Sequence, residues 1–99
     1  MWAQLVKARI KPGSEDQLRQ TYEELARRGP QGSGWIRSFS LRNQNDPHEM
    51  YSLVIFESEA KAREYERSPQ QAELVGRLRE FMEGPPDYVD FDVLAEYSP

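Results

Sequence analysis

The side chains best suited to chemistry in this sequence are three phenols, Tyr22, Tyr51 and Tyr65, two apolar rings, Phe56 and Phe81, and one cation, Arg37. Rings of this kind converging between helices and a sheet form a flat apolar pocket, and phenol hydroxyls within it can hydrogen-bond a quinone or a phenolic substrate. Trp35 belongs to the same set. Arg37 alternates with Trp35 and Phe39 along one stretch, so it shares a face that is otherwise apolar. A charge in such a place is paired or functional. It can steer an enolate or oxyanion, or it can reach an acid of a second copy. Tyr22 and Tyr51 also read as core aromatics whose hydroxyls reach the surface.

Other chemistry is thinly represented. There is no cysteine, which removes disulfides, thiolate nucleophiles and cysteine-ligated metals. A single histidine, His48, sits beside Pro47 in a polar turn, which makes a zinc site improbable and suits an exposed residue better than a general base. Asp90 and Asp92 stand two apart on one strand face and suit a paired acid and base in principle, but on an edge strand such residues generally face water. No metal or flavin motif is present, and no cofactor is expected.

Those residues are positioned by a pattern organised around Glu49 to Met82. Met50 to Phe56 is apolar at both parities, with only Ser52 interrupting, as in a strand buried on both sides. Ser58 caps a short helix that stops at Arg67, because Ser68-Pro69-Gln70-Gln71 starts another with a capping box. Leu74, Val75, Leu78, Phe81 and Met82 then form an apolar stripe. Upstream, Trp2 to Ile10 is a strand with Trp2, Val6, Ala8 and Ile10 on one face. Ser14-Glu15-Asp16-Gln17 opens a helix to about Arg28, with Leu18, Tyr22 and Leu25 on its buried side. Gly29 to Gly34 is a loop. Trp35 to Asn43 is a second strand, with Trp35, Phe39 and Leu41 facing one way and Ile36, Ser38, Ser40 and Arg42 the other. Gln44 to His48 turns it back in a hairpin. After Gly84-Pro85-Pro86-Asp87, Tyr88 to Tyr97 is the last strand, with Val89, Phe91, Val93, Ala95 and Tyr97 on one face.

The order βαββααβ is that of a ferredoxin-like α+β sandwich, in one domain spanning 1–99. Apolar residues on both faces of the sheet predict a homodimer with sheets face to face, since helices can cover only one of them. The net charge of −4, from 13 basic and 17 acidic residues, argues against nucleic acid as a partner. Apolar runs are shorter than the ~20 residues of a membrane span, and residues 1–10 alternate rather than forming a signal-peptide core. The expectation is a cytoplasmic protein with a small-molecule ligand.

Phe56-Glu57-Ser58-Glu59-Ala60 followed by Tyr65-Glu66-Arg67-Ser68-Pro69 resembles the antibiotic biosynthesis monooxygenase domain family. There an aromatic-rich strand leads into a Trp-x-Ser-x-Glu-like turn and then His-x-x-Ser-Pro. Phe56 stands at the frequent Trp position and Tyr65 at the His position. The resemblance implies a dimeric α+β barrel and a cofactor-independent monooxygenase, acting on an aromatic or quinone-like molecule that reduces oxygen directly. It gives Tyr65 a functional role; with it, the residue pattern makes Arg37 the second catalytic candidate and Tyr51, Phe56, Tyr22 and Phe81 the candidates for binding the substrate. The alternative is a non-catalytic dimeric module that binds a metabolite. A haem-degrading branch of the fold is more distant, because Val6, Phe56 and Val75 occupy the positions where that branch carries its Asn, Trp and axial His.

Overall fold

A computed structural model describes residues 1–28 and 34–99, excepting the side chains of residues 25, 26 and 28. The expected contact of Leu25 and most of the expected Gly29–Gly34 loop lie outside the described residues. The elements are β1 (Trp2–Arg9), α1 (Glu15–Arg28), β2 (Trp35–Asn43), β3 (Asp46–Phe56), α2 (Glu59–Glu66), α3 (Pro69–Arg79) and β4 (Asp87–Asp92). The strands form one antiparallel sheet in the order β2-β3-β1-β4. This is the ferredoxin-like arrangement with an added short helix. No helix among the described residues is long and apolar enough to cross a membrane.

The break between α2 and α3 follows from its two serines. Ser58 Oγ accepts from the N–H of Lys61 at 3.2 Å, and Ser68 Oγ accepts from that of Gln71 at 3.2 Å. Only half of the expected capping box forms at the second site. The N–H of Ser68 donates to the carbonyl of Tyr65 at 2.9 Å, so it is already satisfied by the preceding helix. Pro69 takes the first turn, where its missing N–H costs nothing. Gly34 ties the start of β2 to α2. Its φ is +79°, and a Cβ there would come within 2.9 Å of the Lys61 side chain.

Pairing sorts the side chains into two faces. Toward the helices, Trp2, Gln4, Val6 and Ala8 stand opposite Phe56, Val54, Ser52 and Met50. Away from them lie Ala3, Leu5 and Lys7, opposite Ile55, Leu53 and Tyr51. Two buried clusters hold the helices down. One joins Ala8, Ile10, Leu18, Leu74 and Leu78, and the other joins Trp2, Phe56 and Ala62.

Three expectations are corrected. The hairpin turn is shorter, because β3 begins at Asp46, which pairs with Asn43; Pro47 and His48 are in the strand. A register shift between Trp35 and Arg37 puts Trp35 opposite Phe56 on the helix side, away from Phe39 and Leu41. The last strand ends at Asp92, not Tyr97. Asp92 pairs with Trp2, the first residue of β1, so the chain beyond it has no strand to pair with. One further bond forms, from the N–H of Val93 to the carbonyl of Met1 at 3.1 Å. Leu94 and Tyr97 are left 94% and 91% exposed.

Candidate functional site

A row of side chains crosses the middle of the helix-facing sheet as Ser40, Ser52, Val6 and Tyr88. The row beside it is Ser38, Val54, Gln4 and Asp90. Most of these side chains are small or polar, so the core cannot close over them. The two apolar clusters lie at opposite ends of the sheet, and a cavity of about 850 Å³ opens between the sheet and the three helices. Its floor is these strand rows apart from Asp90, and its roof includes Tyr22, Tyr65, Leu74, Val75 and Leu78. A volume of this size accommodates a drug-sized molecule.

One end of the cavity is aromatic. Trp2 and Phe56 have ring centroids 6.4 Å apart, and Phe56 and Tyr65 are 6.0 Å apart. Trp35 joins them, its Nε1–H donating to Ser38 Oγ at 2.8 Å. The Arg63 guanidinium lies 5.1 Å from the centroid of the Trp2 ring, a cation–π contact that pins α2 to the first strand. Burial pushes the Tyr65 phenol above its ordinary pKa, so at neutral pH it is a neutral hydroxyl able to donate.

The middle of the cavity carries a second phenol. Burial raises the pKa of Tyr22, a hydrogen bond with Ser52 opposes that rise, and Tyr88 adds to it. Tyr22, Ser52 and Ser40 therefore place hydroxyls under the same roof. Ser40 and Ser52 lie outside the set of rings and charges that the sequence marks for chemistry. Their signal was available in Ser52, the one residue that breaks an apolar run at the parity of Met50, Val54 and Phe56.

The candidate residues divide accordingly. Tyr22, Phe56 and Tyr65 line the cavity. Arg37 borders it, although its Cα stands opposite Ile55 on the bare face of the sheet, and its side chain makes no hydrogen bond or ion pair with a described residue. Tyr51 is not among the lining residues. It points away from the helices, and its hydroxyl donates to Glu49, which raises the phenol's pKa. Phe81 packs against the cluster of Ile10 and Leu78, also outside the lining. Asp90 accepts from Gln4 at 3.0 Å and from Arg63 at 2.7 Å, and these partners hold its carboxyl below the ordinary range. It is fixed as a structural anion rather than poised as an acid. Val6, Phe56 and Val75 all line the cavity, and none of the three offers an axial ligand to a haem iron. No cluster of metal-ligating side chains occurs among the described residues.

The family model for antibiotic biosynthesis monooxygenases matches residues 1–77. No curated protein matches the chain. Among solved structures, a Bordetella bronchiseptica protein named for the same family superposes with a TM-score of 0.84 at 14% identity, covering 95% of this chain and 97% of its own. A Nitrosomonas europaea protein so named gives 0.78 at 17% identity, with coverage of 96% and 100%. A Mycobacterium tuberculosis protein gives 0.80 at 15%, with 98% of each chain covered. At such identities these likenesses establish the fold. With the family match over most of its length, the chain belongs to the antibiotic biosynthesis monooxygenase family.

Proposed function

We propose that this member of the family is a homodimeric, cofactor-independent monooxygenase acting on an aromatic or quinone-like small molecule. The observation that carries this reading is the cavity itself, a space of about 850 Å³ with aromatic rings at one end and hydroxyls along its floor. Tyr65 orients a phenolic oxygen of the substrate, and Arg37 favours its anionic form. Stabilising developing negative charge in a site sheltered from water is commonly the largest contribution to catalysis.

The redox balance closes without a cofactor. The electron-rich ring loses a proton and gives its electrons to dioxygen, forming a hydroperoxide at a ring CH2 carbon. Loss of water then leaves a new carbonyl at that carbon. One oxygen atom is retained, the other departs as water, and the substrate supplies all four electrons.

The dimer completes the fold. On the face of the sheet away from the helices, Phe39, Leu41, Val89 and Phe91 are each 45–49% exposed, alongside Leu5, Leu53 and Ile55. A second copy with the same apolar face covers this surface by packing sheet on sheet. The segment from Val93, extending beyond its own sheet with Leu94 and Tyr97 exposed, then lies where it can reach the partner.

A thermal-shift screen of fused aromatic phenols, followed by oxygen-uptake assays on the compounds that bind, tests the activity. The expected result is oxygen uptake matched by quinone formation, slowed roughly 10²–10³-fold by Tyr65→Phe. Binding without turnover overturns the catalytic reading. Equal turnover by wild type and Tyr65→Phe removes Tyr65 from the mechanism.

A further inference from the structure

The charges around the cavity are unevenly matched. Three of the four acids that border it face an arginine: Asp16 and Glu23 lie 3.4 and 4.0 Å from Arg19, and Glu66 lies 3.0 Å from Arg63, while Glu15 lies 3.9 Å from His48. The side chains of three bordering arginines, Arg37, Arg42 and Arg79, make no ion pair or hydrogen bond with any described residue. In a chain of net charge −4, three arginines without an acid partner among the described residues border this one cavity.

Arg42 is the best placed of the three. Its Cα stands opposite Met50, which packs against the core cluster under the helices, so Arg42 has the parity of the cavity floor. Ser40 follows on the same face about 7 Å along the strand, opposite Ser52, the serine that interacts with Tyr22. A guanidinium with hydroxyls beside it is a carboxylate site, because its planar fork matches the two oxygens and the hydroxyls satisfy their remaining lone pairs. From that end of the floor, the row of Ser40 and Ser52 comes next, and the rows beyond it lead along the sheet to Phe56. The span suits two or three fused rings.

We propose that Arg42, with Ser40 beside it, is the specificity-determining anchor of the cavity and selects a fused aromatic carboxylate over its neutral analogue. This rests on reading the cavity as a site for aromatic ligands. Isothermal titration of 2-naphthoate and 2-naphthamide into the wild type, Arg42→Gln and Arg67→Gln tests it. The wild type is expected to favour the acid by about tenfold, the low end for a hydrogen-bonded charge, since Arg42 is exposed. Arg42→Gln loses that preference and still binds the amide as before. Arg67→Gln, which removes an exposed charge outside the cavity, retains the preference. Equal affinities in the wild type, or a preference that survives in Arg42→Gln, overturns the anchor and leaves the aromatic site standing. Failure of both naphthalene compounds to bind overturns the aromatic site and the anchor together.

Discussion

The two faces of the sheet are built from alternate residues of the same strands, yet they are opposite in character. On β3, Ser52 points toward the helices and Leu53 points away. The helix side carries Gln4, Ser38, Ser40 and Ser52 where a core would normally be continuous, and a cavity results. The bare side carries Leu5, Phe39, Leu53 and Phe91, with no helix to cover them. The face that has a cover is left hollow, and the face that lacks one is packed with apolar groups. Each arrangement is costly in a lone subunit: a cavity forfeits contacts, and exposed rings forfeit burial. Both make sense if a ligand fills the first and a second copy covers the second.

Exchanging the character of two neighbouring residues tests this division. Leu53→Glu has the largest expected effect. Leu53 sits between Leu5 and Phe39 in the middle of the bare face. A two-fold contact there buries the new charge twice, at roughly 2–5 kcal/mol for each unpaired group. Light scattering is expected to show a monomer at micromolar concentration, with ligand binding in the cavity preserved. A wild type already monomeric at that concentration removes the proposed dimer altogether.

Ser52→Leu, one residue along, has a smaller expected effect with the opposite distribution. The larger side chain enters the cavity floor and removes the partner of Tyr22, so an aromatic ligand has to displace it. Steric crowding of about 1–3 kcal/mol weakens binding by roughly tenfold to a hundredfold. The dimer is expected to remain intact. Unchanged ligand affinity in Ser52→Leu places the binding site away from the centre of the sheet.

The faces were legible in the sequence to the extent that alternation was regular. The parity of β1 is correct at every position, because it pairs on both sides without a shift. Trp35 was misassigned because one extra residue at a bulge reverses the parity before it, and nothing in Trp-Ile-Arg-Ser marks that position. The β4 error has a different origin. Val93, Ala95 and Tyr97 continue the strand pattern, but pattern alone does not say whether a partner strand extends as far. Tyr51 alternates with Leu53 and Ile55, so its distance from Tyr65 was implicit; the shared residue type suggested a grouping that the pleat forbids. The cavity floor was the least visible part. A serine within a strand reads as an interruption until its neighbours across the sheet prove to be Ser40 and Val6.

The smallest expected effect compares one carboxylate from each face. Asp90, on the helix side, is held below its ordinary pKa by Gln4 and Arg63. Glu49, on the bare side, is lowered by Tyr51 and then Asn43. A group whose folded pKa lies below its unfolded value contributes stability that is complete above about pH 4–4.5 and is lost as the pH falls through the folded value. Urea midpoints are therefore expected to hold steady from neutral pH to about pH 5 and to decline below it. Asp90→Asn flattens part of that decline by a modest amount, since exposed pairs contribute little. The partners of Asp90 belong to its own chain, so its share is independent of protein concentration. Glu49 lies on the face where a second copy would pack, so Glu49→Gln is expected to alter the pH dependence of dimer dissociation. If it leaves that dependence unchanged, the polar end of the bare face lies outside the contact, and the partner is confined to the apolar strip of Phe39, Leu53 and Phe91.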